Sequence, residues 1–211
     1  DAIHVAFPED QIYGEEMGGD CACAQRRWII DPIDGTENFS RGIAEYAISI
    51  GFESTPGELV MGVVYAPAMG EMFWAAQGMG AYLNDQPIHV STQNDPQFAV
   101  TAVAPPFRRH ELTHRYFATV EMLFLNTCDT RNTGSAALHG CYVACGRVEA
   151  YIEADVMPYD IAAALAIISE AGGNWGSLYS QGHPFETHEI LCSNSLLYPW
   201  YRQCCQRSDA P

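Results

Sequence analysis

The first half of the chain alternates. Residues 11–13, 28–30, 44–52, 59–65, 72–76 and 87–91 are short runs in which apolar or small residues recur at every second position or run without interruption. Such runs read as strands. Turn residues separate the later ones: Thr55-Pro56-Gly57-Glu58, Ala68-Met69-Gly70-Glu71, Gly78-Met79-Gly80 and Asn84-Asp85. Consecutive strands joined by tight turns predict an antiparallel meander. Ahead of it, residues 2–7 read as the end of a helix closed by Pro8, and residues 17–25 as a loop rich in Gly, Asp, Ala and Cys. Near residues 92–96 the chain turns polar, and strand and helix patterns then alternate. Residues 98–103, 127–131, 148–153 and 191–193 read as strands. Residues 111–125 predict a helix with Leu112, Tyr116, Val120, Leu123 and Phe124 on one face. Gly134-Ser135 opens a second helix through Ala144, ended by Gly146. Asp160 opens a third over residues 161–171, which stops at Gly172-Gly173, and a terminal helix follows the last strand. The expectation is a layered α/β protein in two halves, 1–92 and 93–211.

Composition narrows the partners. Hydrophobic residues make up 48% and charged residues 17%, enough apolar surface for a folded core. With 26 acidic and 10 basic residues the net charge is −16, the wrong sign for binding a nucleic-acid backbone. An acidic protein that handles an anionic substrate needs bound cations to invert the local field. No apolar run reaches membrane-spanning length, so no membrane partner is expected. The eight cysteines, with Cys21 and Cys23 two apart and Cys204 next to Cys205, match no zinc spacing and read as free thiols of a cytoplasmic protein.

The chemistry centres on Asp31-Pro32-Ile33-Asp34-Gly35-Thr36-Glu37-Asn38-Phe39. Trp28-Ile29-Ile30 leads in as a buried strand, and Pro32 is expected to end its ladder. Asp31 then lies at the strand edge and Asp34 in the turn beyond it. Thr36 is expected to cap a short helix. Two carboxylates this close repel unless a cation lies between them, and a helix start attracts an anion. A divalent metal with a phosphate satisfies both. Glu15-Glu16 after a strand and Asp160 at a helix start add acidic groups at element edges. Each position alone also fits an ordinary turn or cap; magnesium, which takes carboxylate and carbonyl oxygens, accounts for all of them together.

Gly14-Glu15-Glu16, the string from Trp28 to Thr36, and Asp160-Ile161-Ala162-Ala163 leading to Glu170-Ala171-Gly172-Gly173 resemble the inositol monophosphatase family of magnesium-dependent, lithium-sensitive sugar phosphatases. Gly62-Val63-Val64-Tyr65, Gly78-Met79-Gly80-Ala81 and Gly134-Ser135-Ala136-Ala137 extend the resemblance along the chain. It implies a sandwich of alternating helix and sheet layers (αβαβα), and hydrolysis of a small sugar or polyol phosphate, inositol monophosphate first. Two or three magnesium ions and a homodimer come with it. Glu15, Asp31 and the Ile33 carbonyl would hold a first metal; Asp31, Asp34 and Asp160 a second; a third would lean on Glu15. Thr36 and Glu15 would hold and deprotonate the attacking water. The N–H groups of Gly35 and Thr36 would take phosphate oxygens. Backbone groups at Gly134, Ser135 and Ala136 would contact the sugar side, with Asp160 beside them. Glu153 matches the family's acceptor for a substrate hydroxyl and fits a strand-edge carboxylate equally well.

Tyr159 stands where the family has Trp, a change of packing. The family's N-terminal helices, with a further Asp that orients the water, find no match here, so the chain is expected to be the remainder of a longer protein with one sheet face left open. Histidinol phosphate, which Glu153 or Asp155 could recognise, fructose 1,6-bisphosphate and adenosine 3',5'-bisphosphate are alternative substrates. A non-catalytic metal- or phosphate-binding protein is the alternative of another class.

Overall fold

The computed structural model describes residues 2–16 and 26–207. A short helix α1 (Ala2–Ala6) precedes β1 (Gln11–Gly14) and β2 (Arg27–Asp34). The helix α2 (Thr36–Arg41) follows. Then come β3 (Ala47–Thr55), β4 (Glu58–Ala66), β5 (Glu71–Ala76), β6 (Gly80–Leu83) and β7 (Gln86–Ile88). These seven strands form one sheet in chain order, antiparallel throughout except for the parallel pair β1–β2. The expected meander is therefore present. It includes β6, which the glycine-flanked Ala81-Tyr82-Leu83 was too short to announce.

The second sheet contains β8 (Val100–Ala104), β9 (Asp129–Arg131), β10 (Ala150–Glu153), β11 (Gly173–Gly176) and β12 (Ile190–Asn194), ordered β11-β12-β10-β8-β9. β8 pairs in parallel with both β9 and β10. The connecting helices are α3 (Thr113–Asn126), α4 (Ala136–Ala144), α5 (Pro158–Glu170), the single turn α6 (Pro184–Thr187) and α7 (Tyr198–Arg207).

Helices α4 and α5 lie between the two sheets, and α7 packs on the far side of the second sheet with α3 against it. Layers thus alternate sheet, helix, sheet, helix. α5 is buried on nearly every side because Ile161, Leu165, Ile167 and Ile168 fill the space between sheets while its alanines allow close approach. The inner face of the first sheet answers with small residues: Ala47, Ser49 and Gly51 on β3, Gly62 and Ala66 on β4. The outer face carries Trp28, Ile50, Phe52, Val63, Tyr65 and Trp74, which the strand register places back to back with that inner set. Phe7, just past α1, packs its ring 5.5 Å from that of Trp28 on this outer face, and Tyr65 and Met72 remain 39% exposed on it.

Four local expectations change. Pro32 does not end β2; the strand continues to Asp34 through a bulge, the place where a sheet tolerates proline. Thr36 is the first helical residue of α2, and Gly35, at φ 86°, is its cap. Asp160 lies in the first turn of α5, which Pro158 starts, as suits a residue without a backbone N–H. Phe124 is 61% exposed, and α3 instead buries Tyr116, Thr119 and Leu123. The loop expected over residues 17–25, with Cys21 and Cys23, lies outside the described residues. The cysteines at 128, 141, 145 and 192 are free thiols. No helix among the described residues is long and apolar enough to cross a membrane.

Candidate active site

The bulge in β2 explains how two carboxylates three residues apart reach one place. In a regular strand, residues i and i+3 face opposite sides. Here Asp31 pairs with Ser49 and Asp34 with Ala47. Three steps along β2 therefore match two along β3, and the extra residue returns Asp34 to the inner face beside Asp31. The third carboxylate arrives on α5, whose start is tied to β3 by the Ser49 hydroxyl donating to the Tyr159 carbonyl at 3.2 Å. One oxygen each from Asp31, Asp34 and Asp160 lies within 4.8 Å of the others.

Each carboxylate is held by donors of the chain. Asp31 Oδ1 accepts the Ile33 N–H at 2.9 Å. Asp34 faces the start of α4: Oδ2 accepts the Ser135 hydroxyl and the Ala137 N–H (2.9 Å), and Oδ1 the Ala136 N–H (3.3 Å). Asp160 Oδ2 accepts the Met157 N–H at 2.8 Å. These donors do not balance the crowding. Burial, with the charges of Asp34 and Glu15, pushes the Asp31 carboxyl up to about 7. Burial lifts Asp34 to about 6 against its three donors. Burial and the Asp34 charge carry Asp160 well above the usual carboxylate range. Three carboxyls held above their usual range by burial, two of them also by the Asp34 charge, fit a bound divalent cation, and an all-oxygen donor set fits magnesium better than a soft metal.

The cluster opens into a cleft of about 520 Å³ between the sheets. Glu15, Ile33, Gly35, Thr36, Gly134, Ser135, Ala136 and Glu153 all line it, so every expected site residue faces one space. They are not equivalent within it. Glu15, just past β1, is exposed and stands outside the three-carboxylate cluster. The Thr36 hydroxyl donates to the Ile33 carbonyl at 3.0 Å. The Ser135 hydroxyl and the Ala136 N–H are engaged with Asp34, which leaves Gly134 as the member of that trio clear of the carboxylates. A Cβ on Gly35 would stand 3.0 Å from the Glu45 carbonyl oxygen and 3.2 Å from that of Gly134, so the β2–α2 and β9–α4 connections pack backbone to backbone. Asn38 joins them, its Nδ2 donating to the carbonyls of Glu45 and Thr133 at 2.6 Å each.

Glu153, which also lines the cleft, is 8% exposed, and burial lifts its carboxyl well above the usual range although the Tyr151 hydroxyl opposes the shift. Phe107, Arg108, Asn132, His139 and Asp155 also line the cleft. Sequence reasoning had not placed the first four. Phe107 and Arg108 follow β8 after Pro105 and Pro106, and a loop at the C-terminal end of a parallel strand is where α/β sheets build sites. His139 gave no signal, being set in the apolar face of α4, where burial lowers it to about 4 and keeps it neutral.

A layered α/β fold with three carboxylates gathered in a cleft between its sheets defines a protein with a candidate metal centre. The chain belongs to the inositol monophosphatase family, whose model matches residues 1–208. This is a family of metal-dependent phosphatases acting on small phosphate esters. A fructose-1,6-bisphosphatase/inositol-1-monophosphatase of Aquifex aeolicus is 32% identical over 95% of this chain and 75% of its own length. The Nus factor SuhB of Pasteurella multocida is 38% identical over 87% of this chain and 71% of its own. The solved inositol monophosphatase of Anabaena superposes with a TM-score of 0.88 at 32% identity, covering 98% of this chain and 80% of that one.

Proposed function

We propose that this protein hydrolyses a small phosphate monoester with magnesium, inositol monophosphate being the leading substrate. The observation that carries the reading is the convergence of Asp31, Asp34 and Asp160 within 4.8 Å in a cleft that Glu153 also lines. Asp31 and Asp34, with the Ile33 carbonyl, Asp160 and Glu15, would hold two or three magnesium ions. Magnesium bound there supplies a water of lowered pKa and positive charge for the phosphoryl oxygens.

The chain's own groups do the rest. The Thr36 hydroxyl spends its proton on Ile33, so its oxygen is left to accept a hydrogen bond from the attacking water. Glu15, exposed at the rim, takes the proton that this water gives up. The first N–H groups of α2, at Gly35 and Thr36, lack helical partners and receive phosphate oxygens. Glu153 meets the leaving alcohol. The family's match along the chain and the intact acidic set support hydrolysis. The Nus-factor name of some relatives favours a second reading, a protein that binds metal or phosphate without turnover. A homodimer, and halves at 1–92 and 93–211, belong to the first reading.

Phosphate release from inositol 1-phosphate, histidinol phosphate, fructose 1,6-bisphosphate and adenosine 3',5'-bisphosphate tests it, in native protein and in Asp34→Ala. The expected result is magnesium-dependent release, fastest from inositol 1-phosphate, suppressed by lithium and lost in the variant. No release from any of the four by a protein that still binds magnesium supports the second reading.

A further inference from the structure

Two residues of β10 share one face of the second sheet, because positions 151 and 153 are two apart along a strand. The Tyr151 hydroxyl donates to Glu153 Oε2. Among the described residues this is the hydrogen bond that Glu153 makes, and its other oxygen, Oε1, is left for the cleft that Glu153 lines. Tyr151 does not line the cleft. It is 1% exposed, on a strand flanked by Ala102 of β8 and Cys192 of β12. The His139 ring lies 4.9 Å from its own, and Thr133 N–H fixes that imidazole by donating to Nε2 at 2.9 Å. The phenol is therefore wedged, and its hydroxyl is a fixed point. A glutamate side chain has three torsions; tethering one carboxyl oxygen to a fixed point sets the direction of the other.

We propose that Tyr151 is a positioning residue for leaving-group selection, holding Glu153 so that Oε1 meets a hydroxyl of the alcohol being released. The inference rests on the phosphatase reading and deepens it by naming a residue outside the cleft that sets how the site selects its leaving group. As a carboxylate Oε1 accepts a hydrogen bond from that hydroxyl; as a carboxyl it donates one to the hydroxyl oxygen. In both states the same atom reads the substrate. A site built to hydrogen-bond a substrate hydroxyl discriminates against an ester that lacks it.

The test compares native protein, Tyr151→Phe, Glu153→Gln and the double variant on inositol 1-phosphate and on 4-nitrophenyl phosphate, which has no aliphatic hydroxyl. Tyr151→Phe is expected to lower kcat/KM for inositol 1-phosphate about tenfold and to leave 4-nitrophenyl phosphate within about twofold. On the Glu153→Gln background the same change is expected to do little more, since the group it positions is already altered. An equal fall on both substrates makes Tyr151 merely structural and overturns the proposal. So does an undiminished effect on the Glu153→Gln background, or no effect at all.

Calorimetry keeps the proposal separate from the phosphatase reading. Should native protein release no phosphate, the affinity for inositol 1-phosphate is still expected to fall about tenfold in Tyr151→Phe while that for inorganic phosphate holds. Native protein that binds inositol 1-phosphate no better than inorganic phosphate overturns the proposal. So does a Tyr151→Phe protein that fails to fold while Glu153→Gln, folded, binds inositol 1-phosphate as the native protein does.

Discussion

Gly62 on β4 and Ala163 on α5 meet backbone to backbone: a Cβ at Gly62 would stand 2.2 Å from the Ala163 carbonyl oxygen. Gly51 on β3 is almost as close, its Cβ position 2.7 Å from the Ala162 methyl. These contacts set the depth of α5 in the sandwich, and α5 carries Asp160 in its first turn. The sheet supplies Asp31 and Asp34, so the spacing of the cluster depends on a helix–sheet distance fixed by absent side chains.

Gly62→Ala is accordingly expected to destabilise the protein by about 1–3 kcal/mol through overpacking against a backbone that cannot swing aside. It is also expected to weaken magnesium binding, because α5 must back away from the sheet. Urea unfolding measures the first effect and calorimetric titration of magnesium the second.

A buried ion pair gives a separate test, away from the cluster. Arg27 on β2 and Glu53 on β3 lie opposite each other, their side chains 6% and 2% exposed, and the guanidinium meets the carboxylate directly. Glu53 also accepts the Gly57 N–H at 2.6 Å, which ties down the β3–β4 turn. Arg27→Met leaves this carboxylate buried without its cation and is expected to cost about 3–5 kcal/mol. Replacing both, Arg27→Met with Glu53→Leu, is expected to recover most of it. Urea unfolding of the single and double variants measures the difference.

Stability without metal has a defined pH dependence. Asp31 rises from 3.8 to about 7 and Asp34 from 3.8 to about 6 on folding. The folded state therefore binds more protons than the unfolded chain between about pH 4 and pH 7, and stability falls as pH rises through that window. Metal-free protein is expected to melt at a higher temperature at pH 5 than at pH 7.5. Magnesium, which favours the ionised carboxylates, is expected to raise the melting temperature more at pH 7.5. Thermal unfolding at both values, with and without magnesium, measures both effects.

The elements that sequence reasoning found are those whose pattern is local. The meander was legible because its apolar alternation is broken by Gly, Pro and Asn-Asp turns, and α5 because its alanines and isoleucines run from Asp160 to a double glycine. Asp31, Asp34 and Asp160 were legible as a motif set. The family resemblance also brought them to one metal, but the geometry that does so was not legible, because it depends on the Asp31–Asp34 bulge and on glycines whose role appears only once β3 and β4 meet α5. Phe124 was misplaced because apolar spacing alone put it on the core face, which α3 gives to Tyr116 and Leu123. β11 and α6 escaped because Gly173-Asn174-Trp175-Gly176 and Pro184-Phe185-Glu186-Thr187 carry no periodicity, and tertiary pairing with β12 defines the strand.

The measurement that bears most directly on the central claim is phosphate release from inositol 1-phosphate by the native protein and by Asp31→Asn, with magnesium and again after chelation. The account predicts release that stops on chelation, returns when magnesium is restored, and falls at least about 100-fold in Asp31→Asn. Release that survives both chelation and the loss of Asp31 would contradict it.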